Sequence, residues 1–260
     1  MSVFPKIFAS ACLAAALAVS ATAAQAGPYS ARWLSGTTVN EREINPIVYD
    51  NGGGNFRTAA QYYSYSTPFG ASANTPDNLE RSNTATMFLY DDPNNGLSLF
   101  HIYDRPNDGD GSRIDVDIAS TGLAGTGQSF IVRDDPGDTS FAWNDATGSA
   151  NLSFFSSPCC TDGWVLGLLP DAGGDSWTID VDFTQTQGIT NFRVVTLADP
   201  FTTQGARVIQ DFQISAANIN TLEFVRTSET VVAMPEPAAA LFPLAALFLI
   251  GSIARHRRRG

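Results

Sequence analysis

The chain has 260 residues, 43% hydrophobic and 16% charged, with a formal net charge of −11. Residues 27–234 hold ten arginines and no lysine against twenty aspartates and five glutamates, a net of −15. Such a surface repels phosphate backbones, so no nucleic acid partner is expected, and the missing lysine excludes Schiff-base chemistry from that segment.

The N-terminus carries Lys6, an apolar run from Ile7 to Val19 and a closing Ala24-Gln25-Ala26. That order is a secretory signal peptide over residues 1–26, with cleavage expected between Ala26 and Gly27. Cys12 does not sit in a lipoprotein setting, because Ala9-Ser10-Ala11 lacks the usual leucine.

Residues 27–234 show no sustained 3.6-residue period. Short β-branched and aromatic runs recur instead: TATMFLYD (84–91), GLSLFHIYD (96–104), SRIDVDIAS (112–120), QSFIVRD (128–134) and SANLSFFSS (149–157). GWVLGLL (163–169), SWTIDVDFTQ (176–185), TNFRVVTLA (190–198), ARVIQDFQIS (206–215) and TLEFVRTS (221–228) continue the series. Turn clusters such as DDPNNG (91–96), DDPGD (134–138), NDATG (144–148) and PDAGGD (170–175) punctuate it. The pattern predicts one all-β domain, an antiparallel β-sandwich of jelly-roll type. IDVDI (114–118) recurs as IDVDF (179–183), with Ile114, Val116, Ile118 and Ile179, Val181, Phe183 facing inward and the aspartates facing water. The segment before residue 83, with Gly52-Gly53-Gly54 and Tyr62-Tyr63-Ser64-Tyr65, has no clear period.

The domain offers few catalytic groups. Its single histidine, His101, alternates with Phe100 and Ile102 and reads as a surface or sheet-face residue rather than a general base. The loop DRPNDGDGSRID (104–115) matches parts of a calcium-loop spacing, but Pro106 occupies the third position, where an oxygen ligand belongs. A looser Ca²⁺ site would use Asp108, Asp110 and Asp115 with a carbonyl; the same residues equally suit a solvated turn. Cys159 and Cys160 are the cysteines left after signal cleavage, and in an oxidising compartment a vicinal disulfide is expected, against intermolecular bridges or free thiols. Trp33, Trp143, Trp164 and Trp177 raise a carbohydrate-binding or hydrolytic surface module as the alternative to a non-catalytic structural role.

The tail has three parts. Pro235-Glu236-Pro237 is an extended acidic segment, because each proline fixes its own φ and disfavours helix in the residue before it. Residues 238–254 are apolar or small, about 25 Å as a helix, which predicts a marginal transmembrane span. Arg255, Arg257, Arg258 and Arg259 follow as a cytoplasmic stop-transfer block.

This arrangement over residues 235–260 resembles the PEP-CTERM sorting signal of Gram-negative bacteria. The resemblance implies exosortase as processing enzyme and export by Sec. It further implies transient anchoring in the inner membrane with the domain in the periplasm, then release to the cell surface or exopolysaccharide matrix. A polysaccharide partner fits that destination. A periplasmic sensor is not expected, since only Gly260 follows the arginines.

Overall fold

A computed structural model describes residues 29–49, 56–65, 73–92, 96–105, 109, 111–134, 142–158, 160–171, 175–198, 208–219 and 221–227. The signal segment 1–26 and the tail 235–260 lie outside the described residues. The first strands are β1 (Tyr29–Ser35), β2 (Thr38–Glu43), β3 (Thr84–Asp92), β4 (Gly96–Tyr103), β5 (Ser112–Thr121) and β6 (Ser129–Arg133). They are followed by β7 (Ser149–Ser156), β8 (Asp162–Leu169), β9 (Trp177–Gln187), β10 (Asn191–Leu197), β11 (Ile209–Ser215) and β12 (Thr221–Arg226). One short helix, α1 (Ala59–Tyr63), precedes β3.

The strands form two six-stranded sheets, ordered β2-β1-β12-β9-β5-β7 and β11-β10-β3-β4-β8-β6. The first is antiparallel throughout. The second is mixed: β10 and β3 run parallel, from Asn191 opposite Thr84 to Val194 opposite Met87. This corrects the expectation of a purely antiparallel sandwich. A parallel neighbour needs a long crossover, and here the chain forms β4 to β9 before returning beside β3. From β4 to β10 successive strands alternate between the two sheets.

Register fixes which ends share a side. Tyr29 at the start of β1 faces Arg226 at the end of β12, and Arg226 faces Trp177 at the start of β9. Both described chain ends therefore emerge at one end of the first sheet. The opposite end holds the β1–β2 turn and the tips of β5, β7 and β9, where Arg113 faces Phe155 and Gln187.

The core follows from the alternation. Ile114, Val116 and Ile118 of β5 and Ile179, Val181 and Phe183 of β9 are all buried. The two IDVD strands are direct neighbours, with Val116 opposite Phe183 and Ile118 opposite Val181. They pack in one cluster with Met87, Leu89, Leu99, Leu166, Phe192 and Val194 of the second sheet.

The second sheet is buried on its other face too. Phe88, Tyr90, Phe100, Ile102 and Val165 form a separate cluster with Ile47, Leu79 and the helix residues Ala59, Tyr62 and Tyr63. Tyr62 stacks on Tyr90 with ring centroids 4.6 Å apart and meets Phe100 edge-on at 5.8 Å. A capping box starts α1: Thr58 Oγ1 accepts from the Gln61 amide at 3.2 Å, and Gln61 Oε1 accepts from the Thr58 amide at 3.0 Å. Ser64 ends it in the left-handed region, at φ 53°. Helix and sheet sit so close that a Cβ on Gly163 would lie 2.2 Å from the His101 carbonyl oxygen and 2.7 Å from the Tyr63 hydroxyl. Tyr63 donates that hydroxyl to Asp134 at 2.7 Å; burial first, then the Asp134 charge, holds the phenol well above its usual range.

Candidate functional site

With the second sheet covered, the outer face of the first sheet is the open one among the described residues. Its chemistry can be read in register rows. One row runs Glu41, Arg32, Glu223, Asp180. Arg32 Nε lies 2.9 Å from Glu41 and Nη1 lies 3.5 Å from Glu223. The Ser30 hydroxyl, and after it Arg32, lowers the Glu41 carboxyl. Asp180 is raised, first by burial and then by Glu223 and Asp182. The next row runs Thr221, Asp182, Asp117, Asn151, so two carboxylates stand directly opposite one another. Thr221 donates to Asp182, and Asn151 Nδ2 donates to Asp117 at 2.6 Å.

A third row, Glu43, Ser30, Val225, Thr178, Thr121, lies at the end where the described chain ends emerge, and its charge sits at the β2 edge, on Glu43. Here a cleft of about 260 Å³ opens, floored by Arg32, Thr121, Thr178 and Val225. Ser176, Trp177, Arg226 and Thr227 complete its rim. The Thr121 and Thr178 hydroxyls are 2.7 Å apart. Gly122 lets the chain leave Thr121 by a tight turn, with φ +78° and a notional Cβ only 2.4 Å from the Ser176 carbonyl oxygen. Arg226 is 3% exposed and donates to the carbonyl oxygens of Asp171, at 2.9 Å, and of Asp175, tying the β8–β9 connection to β12. The cleft thus offers a held guanidinium and several hydroxyls, groups suited to hydrogen bonding rather than proton transfer near neutral pH.

The residues singled out in the sequence are dispersed. Asp115 stands on the outer face of β5, ion-paired with Arg113 at 3.2 Å and accepting from the Ser153 hydroxyl. Asp108 and Asp110 lie outside the described residues, and among those described no group of three His, Cys, Asp or Glu side chains could hold a metal ion. Cys160 is disulfide-bonded; Cys159 lies outside the described residues. Pro235, Glu236, Pro237, the span 238–254 and the arginine block lie outside them as well, and no described helix is long and apolar enough to cross a membrane.

His101 lies on a sheet face, and that face meets no water. It is fully buried between the sheets, its ring stacked on Trp164 at 4.1 Å and its Nδ1 3.1 Å from the Tyr103 hydroxyl. Nε2 has no hydrogen-bond partner, and burial pushes the imidazole well below its usual pKa. The core also claims the tryptophans. Trp164 and Trp177 are buried, Trp33 stacks on Phe212 at 5.3 Å, and Trp143 meets Phe130 edge-on at 6.3 Å. Trp164 and Trp177 therefore offer no open stacking platform, and Trp33 and Trp143 are half-buried against the core.

Sequence reasoning did not find the cleft. Arg32, Thr121, Thr178 and Val225 come from four strands far apart in the chain, and only the β1–β12–β9–β5 pairing brings them together. No local motif marks them. No protein-family model matches this chain, and neither does any curated protein or solved structure.

Proposed function

We propose that this is an exported protein of the cell envelope or exopolysaccharide matrix, with a structural or adhesive role and no catalysis of its own. The observation that carries this reading is the order of the tail: Pro235-Glu236-Pro237, an apolar span over 238–254, then Arg255, Arg257, Arg258 and Arg259. The signal peptide 1–26 directs Sec export, residues 27–234 form the exported domain, and the tail holds it in the inner membrane until exosortase acts near the Pro-Glu-Pro. The winding of β4 to β10 back and forth between the sheets fits a jelly-roll-like sandwich.

The fold supports this reading through geometry. Eight residues lie between Arg226 and Pro235, a reach of at most about 32 Å over nine Cα steps. A tethered domain would keep the end bearing Tyr29 and Arg226 near the membrane and point the tips of β5, β7 and β9 outward. Fractionating cells that carry Pro235→Ala/Glu236→Ala/Pro237→Ala tests it. The variant should accumulate in the inner membrane while the parent leaves it; identical distributions would count against sorting by this tail.

A further inference from the structure

The cleft at the end of the first sheet that bears Tyr29 and Arg226 has a chemistry unlike the face around it. Adjoining rows carry carboxylates on the central strands, whereas the cleft row has its one carboxylate, Glu43, at the β2 edge and continues as Ser30, Val225, Thr178 and Thr121. Hydroxyls both donate and accept, so the Thr121–Thr178 pair, 2.7 Å apart, can re-orient to meet either kind of partner. Arg32 adds donors in a fixed plane, because Glu41 and Glu223 hold its Nε and Nη1. Those same carboxylates compensate its charge. Arg226, the second guanidinium of the lining, is turned to the Asp171 and Asp175 carbonyl oxygens with the Asp171 carboxylate 3.9 Å away, so neither arginine is left to pair with an anion and the cleft favours a neutral ligand. A volume of about 260 Å³ falls just below the roughly 300–1,000 Å³ that holds drug-sized ligands, which leaves room for one ring.

We propose that this cleft binds one neutral, polyhydroxylated ring of a saccharide, with Arg32 as donor and Thr121, Thr178 and Ser176 as two-way partners. This goes beyond the sorting reading and is independent of it, since it concerns the folded domain whether or not the tail is processed.

The test is a titration of the purified protein with methyl glucoside, methyl galactoside and methyl mannoside, with glucuronate as the charged counterpart. The Trp177 indole N–H and Arg32 Nε signals are followed by NMR. At least one neutral glycoside should shift both signals saturably. Thr121→Val/Thr178→Val should weaken that binding by about tenfold, the loss expected from two neutral hydrogen bonds. Should that pair disturb the fold, Ser176→Tyr, at an exposed rim position, should block the cleft instead. The proposal fails if no glycoside moves either signal, if both variants bind as the parent does, or if glucuronate binds more tightly than the neutral rings.

Discussion

His101→Phe isolates one buried group whose energetic effect depends on pH. The imidazole is fully buried between the sheets, with Nε2 unpartnered and its pKa pushed well below 6.5 by burial. In the unfolded chain it titrates near 6.5, so on acidification the unfolded state takes up a proton that the folded state does not. Stability is therefore level above about pH 7 and falls below 6.5, by up to about 1.36 kcal/mol per pH unit, until the folded pKa is reached. Between pH 8 and pH 5 the loss from this residue is at most about 2 kcal/mol, the limit for an imidazole that stays neutral in the fold throughout. Phenylalanine has no such group. It carries a pH-independent cost of about 1–3 kcal/mol for the reshaped core and the Tyr103 partner it removes, which cancels when two pH values are compared. Urea unfolding of parent and variant at pH 8 and pH 5 gives the double difference directly, because the carboxylates titrate alike in both. The parent should lose more than the variant, by at most about 2 kcal/mol. An equal loss in both would refute the picture of a neutral imidazole held in a dry core.

Other perturbations probe the same packing. Gly163→Ala drives a Cβ to 2.2 Å from the His101 carbonyl oxygen and should cost upwards of about 3 kcal/mol in urea midpoint experiments, because the obstacle is backbone rather than a movable side chain. Asp182→Asn relieves the direct opposition to Asp117 while keeping an acceptor for Thr221; it should stabilise by about 0.2–1 kcal/mol, and the gain should shrink in 1 M salt. Leu168 sits at φ 61° and is 46% exposed, so Leu168→Gly should be neutral or stabilising by about 1 kcal/mol in thermal unfolding, against the usual sign for glycine in a strand.

What the sequence made legible follows from burial. β5 and β9 face the core on one side only, so IDVDI and IDVDF alternate and both strands and their inward residues can be read directly. β3, β4, β8 and β10 are buried on both faces, which is why TATMFLYD and GLSLFHIY appear as apolar runs rather than alternations. Alternation in such a run cannot say which face meets water, and the surface alternative for His101 fails because neither face does. The cover over the second sheet was illegible because α1 is five residues long and is held by Thr58, Gln61 and contacts to Tyr90 and Phe100 rather than by a helical period. The parallel β10–β3 pair and the cleft depend on strands brought together from opposite parts of the chain, and no local signal encodes that pairing.

Sorting by the tail is read from the intact mass of the mature protein from its native host, with and without the candidate exosortase. A tail that serves as an address leaves a C-terminus near Pro235–Pro237, lost when exosortase is removed. A mass ending at Gly260 in both strains would contradict it and make residues 238–254 a permanent anchor.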